Sequence, residues 1–320
     1  MRRSCLWRLV KFLTALALLF LSVHVLFSTP SKAPPKPSAL PAEEYRLLSP
    51  ETYRYQLNEP AVCRHRSPFL LLMVPVAPGE AVARQAVRST WGASAPGRDT
   101  FTLFYVGLPE WVRGTSTQAE LEEESRRHAD IIQMDFQDSY HNLTIKTMMM
   151  MHWLSTHCPN ASYAMKVDAD IFVNVFLLVR RLRGSPRQGF ITGSLISDGR
   201  PRRDRNSKWY VSEGLYPDDS FPPYVSGAGY VFSADLAPRI SWASRFVRMI
   251  PLEDVYVGLC LRVLDVRPVY SRSLTLRNLF EIGQLEYDRC TFAKLVIVNG
   301  FKPAQLLHAW PDFSRSHSSC

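Results

Sequence analysis

From Phe69 to Val167 the chain alternates between short apolar runs and longer polar or amphipathic stretches, and that alternation most constrains its fold. Phe69–Ala77, Phe101–Gly107, Asp130–Phe136 and Tyr163–Val167 read as strands, short and bounded by polar turns. Between them, Glu80–Thr90, Gln118–His128 and Asn142–His157 carry helical spacing. Strands and helices that alternate at this spacing predict βαβ units and a mostly parallel sheet. Beyond Gly189, Phe190–Ile196 and Gly229–Ser233 read as further strands on the same sheet, and Arg200–Pro223 as an irregular polar loop. The Met148–Met151 quartet reads as core.

The first thirty residues belong to a different environment. Phe12–Phe27 is almost wholly apolar, and with Leu9 and Val10 it approaches the length of a membrane-spanning helix. Arg2, Arg3, Arg8 and Lys11 lie before or at its start, which orients the N-terminus to the cytoplasm. A cleaved signal peptide is the competing reading, but the stretch is long and no small-x-small site follows. The sequence therefore predicts a cytoplasmic tail over 1–8, a signal-anchor over 9–28 and a proline-rich stem over 29–62. A lumenal domain over 63–320 completes the chain. Of six cysteines, five fall in that domain, so two bridges at most can form; their pairing stays open. Asn142 and Asn160 open N-glycosylation triplets, in keeping with lumenal exposure.

The formal charge of +9 raises the question of an acidic partner. The excess sits in clusters, at the N-terminus, over Arg180–Arg187 and over Arg200–Arg205. No aromatic interleaving or nucleic-acid motif accompanies them, which argues against DNA or RNA.

In a sheet of this kind ligands bind beyond the carboxyl ends of the strands. The fourth strand ends there in Asp168 and Asp170. Two nearby carboxylates repel unless a cation sits between them, so the pair suits a hard metal that grips a diphosphate. A bare Asp-x-Asp triplet is otherwise a solvated turn. Arg84 and Arg88, one helical turn apart, suit phosphates or a surface ion pair. Lys146 faces either the same edge or solvent, and Asp138 or Asn142 caps the helix before it. Gly227 and Gly229 allow a sugar to approach the backbone, or else form a turn, with Tyr224 beside them. Glu253 and Asp254 are adjacent acids in an apolar setting, where one carboxylate can serve as a base. His308 is a possible third metal ligand or a structural histidine.

These motifs occur together in order: Arg84-x-x-x-Arg88-x-Thr-Trp-Gly92, Phe104-x-x-Gly107, Glu124-x-x-x-His128-x-Asp-Ile-Ile132 and Asp135-Phe-x-Asp-x-Tyr-x-Asn-Leu-Thr-x-Lys-Thr147. Lys166-x-Asp-x-Asp170, Pro222-Pro-Tyr-x-x-Gly-x-Gly-Tyr230 and Glu253-Asp-Val-x-x-Gly258 follow. Over Phe69–Trp310 the sequence resembles the β1,3-glycosyltransferases of family 31, most closely their β1,3-galactosyltransferase branch. The resemblance implies an α/β GT-A (Rossmann-like) single catalytic domain on a type II anchor in the Golgi membrane. It implies inverting transfer of galactose from UDP-galactose to the 3-hydroxyl of a terminal sugar on a glycoprotein or glycolipid glycan. The ligands it implies are Mn²⁺ on Asp168 and Asp170, with His308 as a further ligand. Arg84, Arg88, Lys146 and Lys166 fall near the donor nucleotide. Tyr224, Gly227, Gly229 and Glu253 fall near the sugars, and Asp254 is the catalytic base. Many family members carry three consecutive acids where this chain has Ala169 in the middle. An N-acetylglucosaminyltransferase of the same fold, or a non-catalytic sugar-binding Golgi resident, are the alternatives.

Overall fold

The computed structural model describes residues 7, 11–16, 38–64, 67–93, 99–109, 114–272 and 285–316. Residues 1–38 form one unit and 39–320 a second. The second unit opens with β1 (Tyr55–Leu57), β2 (Leu70–Pro75), α1 (Ala81–Arg88), β3 (Thr100–Leu108), α2 (Gly114–His128), β4 (Ile131–Gln137), α3 (Leu143–His157) and β5 (Tyr163–Val167). It continues through β6 (Ile171–Val173), α4 (Val175–Leu182), β7 (Ile191–Ile196), β8 (Tyr224–Ser233), α5 (Leu236–Ala243), α6 (Glu253–Val263), β9 (Val269–Tyr270), β10 (Ile297–Asn299) and α7 (Pro303–Ser316). The strands and helices that the first half predicts are all present, with ends displaced by a few residues.

The large sheet runs β1-β4-β3-β2-β5-β8-β7-β9. Strands β2 to β5 are parallel neighbours. The chain adds β3 and β4 outward from β2, then returns to lay β5 on the other side of β2. That reversal is a topological switch point, where the carboxyl ends of two strands diverge and leave a crevice. Strand β8 runs antiparallel between β5 and β7. A separate ribbon pairs β6 with β10.

Both faces of the sheet are covered, which is why β2 is continuously apolar. Leu71 and Met73 face a layer formed by α3, α5 and α6, with Met148–Met151, Ile240 and Val255 in it. Leu70, Leu72 and Val74 face the other layer, with Val87 of α1, Leu121 of α2, Leu178 of α4 and Phe313 of α7. In β5, Tyr163, Met165 and Val167 join the second layer and Ala164 the first. The two-residue period of a strand therefore sends Lys166 and then Asp168 toward the face that α6 covers.

The stem boundary at residue 62 is corrected. Residues 39–62 fold onto the domain: Leu40 donates to the Arg245 carbonyl, β1 pairs with β4, and Leu48 is 1% exposed. The prolines that exclude regular structure cluster upstream, whereas Tyr45, Leu48, Tyr53 and Tyr55 supply apolar surface. Cys63 pairs with Cys158 at the end of α3, across a separation of 95 residues, and clamps this segment. Cys290 is also disulfide-bonded, and Cys260 is a buried free thiol. Most of the anchor over 9–28, and the stem over 29–37, lie outside the described residues. Residues 11–16 are helical, and no helix among the described residues is long and apolar enough to cross a membrane.

If 39–62 belongs to the cooperative unit, Leu48→Ala lowers unfolding free energy by about 2–4 kcal/mol in urea titration. A loss below about 0.5 kcal/mol would place the segment outside that unit.

Candidate active site

A lysine in the middle of an apolar strand organises the site. Lys166 is 3% exposed, and its ammonium donates to Asp168 Oδ1 at 2.7 Å and to the Gly227 carbonyl. It also lies 3.0 Å from Glu253 Oε1 as an ion pair, outside hydrogen-bonding geometry. Burial alone would push this ammonium toward neutrality, but Asp168 and Glu253 outweigh it and hold the group charged. One buried cation thus joins the end of β5, the backbone of β8 and the first turn of α6.

Glu253 and Asp254 occupy that first turn, where the helix dipole favours negative charge. Glu253 is 6% exposed, and burial raises its pKa to about 7 against the opposing pull of Lys166. Its Oε2 accepts long bonds from Thr147 and Tyr230. Asp254 is half-buried and also raised by burial, while the N–H groups of Gly227 and Val255, at 3.0 and 2.8 Å, favour its ionised form. Gly227 has no side chain because none fits: a Cβ there would lie 2.5 Å from Glu253 Oε1. Its absence lets the β8 backbone hydrogen-bond Asp254 directly.

Asp168 and Asp170 close β5. Asp168 is half-buried, and Asp170 keeps an exposed surface with its backbone carbonyl accepting from Phe301 N–H at 2.8 Å. Partial enclosure and then the Asp168 charge push Asp170 above the ordinary carboxylate range. A divalent cation would relieve that repulsion. Two carboxylates fit a metal that keeps its other positions for water and phosphate oxygens. Among the described residues, no three His, Cys, Asp or Glu side chains gather as an all-protein set.

Asp168, Lys166, Tyr224, Gly227, Glu253 and Asp254 line one cavity of about 930 Å³. The Tyr224 phenol is pushed up to about 12 by burial and by the charges of Asp254 and Asp198. Lys208 and Trp209 also line this cavity and were not singled out from the sequence; Tyr140, which lines it too, stood in the fourth motif with no role assigned. Their signal was present as aromatic residues in polar segments, Tyr140 before α3 and Trp209 within Arg200–Pro223.

Several other expected residues are engaged elsewhere. Arg84 is 1% exposed; it donates to Glu124 at 2.8 and 2.6 Å and to the carbonyls of Ala77 and Pro78. Arg88 binds Asp130 in bidentate fashion at 2.7 and 2.8 Å and reaches Glu124 at 2.6 Å. Burial works to raise Glu124, but the two guanidinium groups hold it below the ordinary range. These arginines brace the loop after β2 from behind and offer no free fork to a phosphate. Lys146 is likewise engaged, donating to both Asp138 oxygens and the Val76 carbonyl. Asp138 therefore does not cap α3, and Asn142 makes no side-chain cap bond there either.

A side chain at Gly229 would meet Met165, Val167 and Ile297, in the second core layer and away from the cavity. His308 is exposed on α7 and lines a separate recess with Tyr287 and Phe301. Trp310, stacked on Phe176 at 6.0 Å, fixes the inward face of that helix. Residues two apart on a helix do not share a face. Asn160 is exposed in the turn after α3, whereas Asn142 donates its amide to the Gln137 carbonyl at 2.8 Å.

Glu253 has a stability consequence. Its folded pKa of about 7 lies above its ordinary 4.5, so the folded state holds a proton that the unfolded state releases within that window. Stability falls as pH rises from 4.5 to about 7, by roughly 3 kcal/mol relative to Glu253→Gln. Parallel denaturant titrations of both proteins measure this; identical pH profiles would contradict it.

The family described as Galactosyltransferase matches residues 82–272. The chain is 40% identical over 274 residues to beta-1,3-galactosyltransferase 2 of Mus musculus and of Homo sapiens, covering 84% of this chain and 64% of those proteins. It therefore spans a little under two thirds of the length of these relatives. It is also 40% identical over 281 residues to beta-1,3-galactosyltransferase 1 of Mus musculus, covering 86% of this chain and 83% of that one. With a family match over more than half its length, this chain belongs to the galactosyltransferase family.

Proposed function

We propose that this chain is an inverting β1,3-galactosyltransferase with a GT-A catalytic domain. It transfers galactose from UDP-galactose to the 3-hydroxyl of a terminal sugar on a glycoprotein or glycolipid glycan. A type II anchor over 9–28 would hold it in the Golgi membrane with the domain lumenal. The observation that carries this reading is the shared cavity: Asp168 and the Glu253–Asp254 pair line one space, tied by Lys166. Its volume of about 930 Å³ suits a nucleotide sugar with part of an acceptor.

Asp254 accepts the proton of the acceptor hydroxyl as that oxygen attacks the anomeric carbon. The new C–O bond forms as the bond to the β-phosphate breaks, and the electron pair leaves with UDP. A single displacement on an α-linked donor gives the β product. Asp168 and Asp170 would hold a divalent ion, with manganese implied by the family resemblance, and that ion supplies charge neutralisation at the diphosphate. Gly227 N–H fixes the Asp254 carboxylate, and Glu253 with Lys166 fixes the turn that carries it.

Asp254→Asn lowers kcat by about 100-fold or more while UDP affinity stays within about twofold. Transfer and donor hydrolysis at wild-type rates would remove Asp254 from the base role. Asp168→Ala abolishes the manganese-dependent part of UDP binding in calorimetry. Unchanged UDP affinity with manganese present would contradict a metal role for Asp168.

A further inference from the structure

The galactosyl-transfer chemistry leaves the aromatic mouth of the cavity unused. Tyr140 and Trp209 line it from two segments far apart in sequence, yet they keep 44% and 36% of their surface exposed. They form one unit. Lys208 Nζ lies 4.8 Å from the centroid of the Trp209 ring and 5.8 Å from that of Tyr140. A contiguous exposed apolar patch rimmed by polar groups marks an interaction site.

The loop that presents Trp209 is built to hold it there. Arg203 donates to the carbonyls of Val211, Tyr216 and Asp218, at 2.8, 2.8 and 3.1 Å, and so ties its two sides together. Val211, Tyr216 and Phe221 are buried beneath it, with the last two rings 5.0 Å apart. A loop so fastened loses little entropy when a ligand settles on it. Tyr140 is placed with equal firmness, in the turn that leads into the buried helix α3.

We propose that Tyr140 and Trp209 form the platform on which the acceptor glycan rests, recognising the apolar face of a pyranose at the mouth of the cavity. The inference builds on the galactosyltransferase reading. Asp168 marks the diphosphate end of the cavity and Asp254 the reacting hydroxyl; the donor takes part of the remaining lining, and the partly exposed rings at the mouth are the part we assign to the acceptor. A β-linked hexopyranose of gluco or galacto configuration presents the axial C–H bonds of C1, C3 and C5 on one face. Those hydrogens carry partial positive charge and pack on the negative face of an aromatic ring. The ring stack selects for a sugar while tolerating different linkages beyond it. The competing occupant is the uracil of the donor, which would also stack on such rings.

The test uses the full chain with UDP-galactose and the methyl β-glycosides of N-acetylglucosamine, N-acetylgalactosamine and galactose, whose aglycone cannot stack. Trp209→Ala raises KM for the active glycoside by about three- to tenfold and leaves KM for UDP-galactose unchanged. Trp209→Phe, which keeps a ring, restores most of the loss, a rescue that a folding defect would not show. Tyr140→Ala behaves like Trp209→Ala. An unchanged acceptor KM, or a rise in the UDP-galactose KM instead, overturns the proposal, the second result assigning the rings to the donor. Tryptophan fluorescence provides a readout independent of turnover. The glycosides quench the wild-type signal, and that quenching is lost in Trp209→Phe; no quenching in either protein also overturns it. Should the wild type transfer nothing to any glycoside yet show the quenching, the transferase reading fails and the sugar platform stands.

Discussion

A buried ammonium holds the site together. Lys166 sits in an apolar strand with almost no contact with water, where an unpaired charge would cost several kcal/mol. Asp168, the Gly227 carbonyl and Glu253 supply its partners. Each partner belongs to a different element, so satisfying one charge fixes three pieces of backbone. The acid at the close of β5 and the acids on the first turn of α6 thereby keep a set separation. Breaking such a pair leaves uncompensated carboxylates, which is more damaging than never having built it.

The sheet topology places this cation where it matters. The switch between β2 and β5 opens a crevice at the carboxyl ends, and β5 delivers Asp168 into it. Two further charge networks brace its walls. Arg84, Arg88, Glu124 and Asp130 fasten the loop after β2 to α2, and Lys146 with Asp138 fastens the same loop to α3. Arg84, Arg88, Lys146 and Lys166 are therefore engaged in holding structure, whereas Arg200, Arg202 and Lys208 line the cavity itself. Asp170 and Asp254 remain with solvent-facing surface, directed to chemistry more than to support.

The first half of the fold was legible because its strands are buried on both faces and its helices are long. The Tyr163–Val167 strand matches its sequence reading at both ends. Helix α6 was harder: Glu253 and Asp254 stand out as acids, but only the contact with β8 shows that they open a helix beside Gly227. Segment 39–62 was misread because prolines upstream suggested a stem that continued, whereas the tyrosines and Leu48 draw it onto the core. The arginine pair was read as suiting either phosphates or an ion pair, and only folding decides for the ion pair, because its acidic partners lie some forty residues away. His308 was read as a further metal ligand or a structural histidine, and α7 places it on an exposed face beside a separate recess. Lys166 was visible as a charge inside an apolar strand, and a buried lysine there requires partners that the sequence order does not reveal.

The most direct test is a crystal of the protein soaked with UDP and manganese. The account predicts an anomalous peak against the Asp168 and Asp170 carboxylates, with the diphosphate beside it in the cavity that Asp254 lines. A diphosphate bound instead against Arg84 and Arg88, or a metal held at His308 and away from Asp168, would contradict it.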